Sequence, residues 1–289
     1  MATVAIIGAG DIGGACAQAL AAGDRVAHIL VIDPMEKAAT GKALDIQQSG
    51  AIDGFHTKLD GADDRSRVSR CTVCVIADRF AAGSPEWQGE EGLALIKEIA
   101  PACADAPLIF AGVTHGDLIA SSAREAHVGR HRLIGTAPEA LGSAIAAIVA
   151  MEARCSPDEV SVAVLGTPPS SFVVPWSDAS IGGYALNRAL SQVQLVRIEA
   201  RVARLWPLGP FALGAAAARV TEAILDSSRR SYNVLTILDG EFGVRDRVGT
   251  VPALLASRGI VRTRTPTLST REQVQLDTAL GADRIGSTL

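Results

Sequence analysis

Three glycines and one acidic residue near the amino terminus have the spacing of a phosphate-holding turn. In Val4-Ala-Ile-Ile-Gly-Ala-Gly-Asp-Ile-Gly13, four apolar residues run directly into Gly8, Gly10 and Gly13. The apolar run reads as a buried strand, the glycines as a tight turn, and residues 12–21 as a helix whose free N-terminal amides can hold a pyrophosphate. Gly8 makes the turn, Gly10 leaves room for phosphates against the backbone, and Gly13 lets the helix pack close to the strand. A second apolar run, His28-Ile-Leu-Val-Ile32, ends in Asp33. That lies about 20 residues on, where a carboxylate hydrogen-bonds a ribose 2′-hydroxyl. Asp33 would repel a 2′-phosphate, so the pattern selects NAD over NADP. The expected cofactor contacts are Gly8, Gly10, Asp11, Ile12, Gly13, Asp33 and, at the end of a later apolar strand, Ala77.

Groups able to move a proton are sparser. His115 and Asp117 follow the apolar run Pro107-Leu-Ile-Phe-Ala-Gly-Val113. They therefore fall at a strand's carboxyl end, the edge where ligands bind in sheets of this kind. A loop histidine is ordinarily just solvated, and that reading stands beside the catalytic one. His28, His56, His127 and His131 have no metal-like spacing. Trp87, Trp176 and Trp206 read as packing residues. Of the five cysteines, Cys16, Cys71, Cys74, Cys103 and Cys155, only Cys71-Thr-Val-Cys74 is spaced like a metal or redox pair. Within a strand over 71–76, however, residues three apart point to opposite faces. The expectation is two small core residues and no metal site.

The elements that must position these residues alternate. Helical patterns at 34–49, 87–98 and 116–127 separate apolar strands near 57–59, 72–77, 107–113 and 132–135. Strands spaced this way need crossover connections, hence a parallel sheet covered on both faces. An Ala-rich helix over 141–153 leads into a mixed second half. There, strands are expected at 160–165, 172–175 and 234–238, and helices at 190–205, 214–227 and 270–280. The expected fold is α/β: a doubly wound Rossmann-type domain over 1–140, then an α+β domain over 141–289. With 289 residues, 48% hydrophobic and 20% charged, the chain can bury a large core. A net charge of −4 offers no footprint for nucleic acid. No apolar run reaches the roughly 18 residues of a membrane span. An odd, scattered set of thiols and a start that reads as a core strand point to the cytoplasm.

Taken in order, these segments resemble the lactate/malate dehydrogenase family, and within it the lactate-dehydrogenase-like malate dehydrogenases. Gly8-Ala-Gly-Asp-Ile-Gly13 with Asp33, Gly41-Lys-Ala-Leu-Asp-Ile46, and Ser156-Pro-Asp-Glu-Val160 followed by Val164-Leu-Gly166 carry the resemblance. So do Leu238-Asp-Gly-Glu-Phe-Gly-Val-Arg-Asp246 and Gly249-Thr-Val-Pro252. The resemblance implies bound NAD, a small 2-hydroxy or 2-oxo acid as substrate, and a homodimer or homotetramer joined through the helix carrying 41–46.

The family's catalytic places have changed. Its Gly-Gly-His-Gly-Asp is Gly166-Thr-Pro-Pro-Ser170 here, and its Asp-x-x-Arg helix start is Ala140-Leu-Gly-Ser-Ala-Ile-Ala-Ala147. The mobile loop with Arg-x-Pro-Gly-Met reads Asp78-Arg-Phe-Ala-Ala-Gly-Ser-Pro-Glu-Trp-Gln-Gly89, where Arg79 is the remaining arginine, out of register. The family's Asn-Pro is replaced within Gly112-Val-Thr-His-Gly-Asp117, and its serine region reads Leu208-Gly-Pro-Phe-Ala-Leu213. Two functions follow. One is an NAD-dependent oxidoreductase with a rearranged site that uses Arg79 or His115. The other is a nucleotide-binding or regulatory homologue without turnover. Fold alone does not choose between them.

Overall fold

The computed structural model describes residues 2–83, 85–169 and 171–281, so Ser84 and Ser170 of the motifs above lie outside the described residues. The first half alternates as its apolar periodicity requires: β1 (Thr3–Ile7), α1 (Asp11–Ala22), β2 (His28–Ile32), α2 (Glu36–Asp53), β3 (Lys58–Ala62), β4 (Val73–Ile76), α3 (Gly89–Ala102), β5 (Leu108–Phe110), α4 (Gly116–Arg124) and β6 (Leu133–Gly135). Strands β1 to β6 are parallel in the order β3-β2-β1-β4-β5-β6. This is the dinucleotide-binding arrangement, with its crevice at the carboxyl ends of β1 and β4, where the order reverses. Residues of β1 and β4 are almost wholly enclosed, as strands covered on both faces must be.

Helix α5 (Ala137–Ala153) starts four residues before the expected 141, with Pro138 in its first turn. A proline fits there because the first helical amides have no partner within the helix. The second half contains β7 (Val160–Ser161), β8 (Leu165–Thr167), β9 (Ser171–Val173), β10 (Ser180–Ile181), β11 (Tyr184–Ala185), α6 (Leu186–Ala189), α7 (Gln192–Val202), α8 (Pro210–Leu225), β12 (Ser231–Asp239), β13 (Arg245–Ala256), β14 (Gly259–Thr263) and α9 (Thr270–Ala279). The strand expected over 160–165 is split. Its start pairs with β10 in a separate small sheet, and its end pairs with β13.

The two halves share one sheet. β12 pairs antiparallel with β6 at Leu235 and Gly135, and β13, β8 and β9 continue outward. Helix α8 lies directly on α1. A Cβ at Gly214 would come within 2.6 Å of the Ala15 Cβ and the Cys16 amide nitrogen. That close seat fixes α1, and with it the glycine turn, against both halves. Among the described residues no helix is long and apolar enough to cross a membrane.

Candidate active site at the glycine turn

The β1–α1 turn is built as its glycines require. Gly8 has φ +115°, and a Cβ there would stand 2.2 Å from the Asp78 carbonyl oxygen. A Cβ at Gly13 would stand 2.1 Å from the Gly8 carbonyl oxygen, which is the close packing of helix on strand. Gly10 precedes α1 and supplies no side-chain cap, so the first amides of the helix need an acceptor from elsewhere.

That acceptor is Asp78, just past the end of β4. Its carboxylate accepts the Ile12 amide at 3.0 Å and the Gly13 amide at 2.9 Å. It fills the space above Gly10, where an added Cβ would lie 2.4 Å from the Asp78 Cγ. The backbone follows, with the Gly10 amide donating to the Asp78 carbonyl at 2.9 Å. A buried anion on free helix amides is the arrangement a bound phosphate makes. Burial raises the Asp78 carboxyl above the ordinary range, and the amides of Ile12 and Gly13 act against that rise. Lys42 of α2 supplies a nearby positive charge, its Nζ donating to the Gly10 carbonyl at 2.8 Å.

Asp33 ends β2 as expected, but it is 1% exposed and its oxygens face the backbone. Oδ2 accepts the amides of Ala9 and Phe80, and Oδ1 accepts that of Met35, each at 2.9 Å. Asp33 thus ties the glycine turn, the start of the β2–α2 connection and the loop after β4 into one unit. Ala77 is fully enclosed, its amide bound to the Ile7 carbonyl, while Asp11 is exposed at the start of α1.

The loop after β4 folds back on itself, with Asp78 and Glu86 forming an antiparallel bridge. Glu86 repeats at β5 what Asp78 does at β1. Its carboxylate accepts the Val113 amide at 2.9 Å and the Thr114 amide at 2.8 Å, and it also accepts the Thr114 hydroxyl. A Cβ at Gly112 would lie 2.3 Å from the Glu86 Oε2. Arg79 points elsewhere: its guanidinium lies 4.9 Å from the centre of the Trp87 ring and pairs with Glu91 at 2.6 Å.

His115 is not a solvated loop histidine, because it caps α4 from within the core and is 1% exposed. Its Nδ1 accepts the Gly112 amide at 3.0 Å, and its ring stands edge-on to Phe110. Burial drives its pKa down to about 4 against the opposing charge of Glu86. With Nδ1 accepting, the proton sits on Nε2, which has no hydrogen-bond partner among the described residues. Asp117 is exposed on the first turn of α4, so burial separates the expected pair. In the second half, Ala140 and Leu141 are buried apolar residues of α5. Gly166 lies in β8 at φ +91°, with space for little beyond hydrogen.

Sequence reasoning missed Asp78 and Glu86. A signal was present: in the order β3-β2-β1-β4-β5, a residue just past β4 must face the turn that follows β1.

Residues 2–106 match the NAD binding domain of lactate/malate dehydrogenase. Over that part the chain is similar to the lactate/malate dehydrogenase family. It is 29% identical over 304 residues to the malate dehydrogenase of Thioalkalivibrio sulfidiphilus, covering 98% of each chain. It is also 29% identical over 293 residues to that of Dehalococcoides mccartyi strain CBDB1, covering 96% and 95%. Among solved structures, the malate dehydrogenase of Salinibacter ruber superposes with a TM-score of 0.86 at 24% identity, covering 96% and 94%. The minor L-lactate dehydrogenase of Enterococcus mundtii superposes at 0.84 with 18% identity, covering 97% and 95%. These likenesses establish the Rossmann-type fold, and NAD is the cofactor that the matched domain binds.

Proposed function

We propose that this chain binds NAD at the β1–α1 turn in competition with its own Asp78, and that it does not turn over malate or lactate. The observation that carries the reading is the Asp78 carboxylate on the Ile12 and Gly13 amides. The cradle fits a pyrophosphate once that side chain swings out. The three atoms nearest the space above Gly10 all belong to the Asp78 carboxylate, so its movement would free the two amides to donate, and Lys42 stands close by. Gly8, Gly10, Asp11, Ile12, Gly13, Asp33 and Ala77 would surround the nucleotide, with Asp33 as the residue that disfavours a 2′-phosphate.

When bound, NAD supplies a hydride acceptor or donor. Among the described residues at the family's catalytic places, none would hold the substrate proton. Gly166 and Thr167 offer no ionisable side chain, Leu141 is apolar, and His115 is neutral and enclosed. Arg79, stacked on Trp87 and paired with Glu91, is not aimed at a substrate carboxylate. The competing reading, an oxidoreductase of small 2-hydroxy or 2-oxo acids with a rearranged site, is favoured by similarity to malate dehydrogenases along nearly the whole chain. Steady-state assays with oxaloacetate or pyruvate and NADH separate the two. The reading also includes self-assembly through α2, which exposes Leu44 and Ile52, and a cytoplasmic setting in keeping with five free thiols.

A further inference from the structure

Cys71, Cys74 and Cys103 meet at the amino end of β4, the edge of the sheet opposite the glycine turn. The expectation that Cys71 and Cys74 point to opposite faces fails because β4 starts at Val73 and not at residue 71. Cys71 closes the 3-10 turn Arg65–Arg70, its amide bound to the Val68 carbonyl. Outside the pleat it turns back toward Cys74. Cys103 arrives from the carboxyl end of α3, its amide bound to the Ile99 carbonyl at 2.9 Å. Three separate elements thus each deliver one thiol.

The three Sγ atoms all lie within 4.8 Å of one another, and those of Cys71 and Cys103 are 3.8 Å apart. Metal–sulfur bonds of about 2.3 Å require sulfur–sulfur edges of about 3.8 Å in a tetrahedral site and about 4.0 Å in a trigonal one. The trio therefore needs only small side-chain rotations to close on an ion. Cys74 is fully buried and Cys103 nearly so, while Cys71 is half-buried and gives the route of entry.

Charge agrees with the geometry. Arg132 is anchored beside the trio by bonds from its guanidinium to the carbonyls of Ala106 and Ala100, which sets a positive charge near the three sulfurs. Among the described residues no histidine or carboxylate joins the set. Three soft donors without a hard one select thiophilic ions and reject magnesium or calcium.

We propose that Cys71, Cys74 and Cys103 form a site for one thiophilic d10 ion, held by three thiolates. Two ions share this chemistry. Copper(I) would be three-coordinate, and zinc(II) would take a fourth, solvent ligand at the Cys71 side.

The test uses the full chain, reduced and stripped of metal under anaerobic conditions. It is titrated separately with zinc(II) against a chromophoric chelator and with copper(I) against bicinchoninate. The expected result is one equivalent bound per chain by at least one of the two ions, with a thiolate-to-metal charge-transfer band in the copper(I) arm. Binding should also raise the melting midpoint and protect three thiols from Ellman's reagent. Cys71→Ser, at the half-buried position, should weaken binding at least about a hundredfold while the protein stays folded by circular dichroism. Cys16→Ala and Cys155→Ser should leave it unchanged. The proposal is overturned if neither ion competes with its chelator, if Cys71→Ser binds as tightly as the parent, or if protein purified without reductant carries a Cys71–Cys103 disulfide that re-forms in air even with either ion added.

Discussion

The Asp78 carboxylate and the Gly13 amide are 65 residues apart in sequence and 2.9 Å apart in space. Through this bond the chain places one of its own anions where a dinucleotide would present its pyrophosphate. Each charge-assisted bond of this type contributes about 1.5–3 kcal/mol. A ligand that must break two of them binds correspondingly weakly.

Removing the competitor should therefore strengthen nucleotide binding. Asp78→Ala is expected to tighten NADH by about tenfold or more, which corresponds to about 1.4 kcal/mol. It should also cost about 1 kcal/mol of stability, because α1 loses its cap. Isothermal titration calorimetry with NADH and NADPH measures the first effect and urea unfolding the second. Equal or weaker NADH binding in the variant would contradict competition at this seat.

Malate and lactate dehydrogenase activity should be at background. A positioned acid-base group is typically worth about 10²–10⁴ in rate, and members of a catalytic unit lose their value together. Arg79→Ala should leave this assay unchanged, since Arg79 is engaged with Glu91 and Trp87. Steady turnover with oxaloacetate or pyruvate at about 1 s⁻¹ or above would sink this reading.

His115 should make stability depend on acid. Its folded pKa of about 4 lies below the ordinary 6.5, so between those values the unfolded chain binds more protons than the folded one. Its contribution is intact above pH 6.5 and is lost progressively as pH falls toward 4, on the order of 3 kcal/mol in all. Urea unfolding at pH 7 and pH 4.5 should show a smaller drop in His115→Asn than in the parent. An imidazole that titrates near 6.5 by NMR would refute the assignment.

Self-association should run through α2. Leu44 is 56% and Ile52 89% exposed on that helix, where an isolated chain would leave them to water. Light scattering is expected to give at least twice the chain mass of 29.9 kDa, and Leu44→Asp combined with Ile52→Asp should reduce it to one chain. A monomer at high concentration in the parent would rule the interface out.

The sequence by itself determined the elements whose causes are local. Glycine spacing and a buried apolar run made the β1–α1 turn legible, and the strand boundaries of β2 agree to the residue. Alternating strand and helix patterns specified a parallel sheet, and Asp33 ends β2 where expected. The long strand β13 was not legible. It opens with Arg245, Asp246 and Arg247 and contains Gly249 and Pro252, which read against a strand. Pairing with β12 along nearly its whole length holds it extended regardless.

Only the tertiary structure decided what occupies the seats that those elements create. Asp78 looked like a loop residue until the adjacency of β1 and β4 set it over Gly10. Glu86 reached the amides of Val113 and Thr114 in the same way. Asp33 ends β2 where a ribose contact is expected, and only packing brings the amides of Ala9 and Phe80 onto its carboxylate beside that of Met35. His115 is enclosed and neutral because the start of α4 sets its ring against Phe110 of β5. Cys71 and Cys74 came together because the strand starts two residues later than periodicity suggests. For Asp78, Glu86 and Asp33 the deciding partners include segments distant in the chain, and local pattern carries no information about a neighbour that only packing supplies.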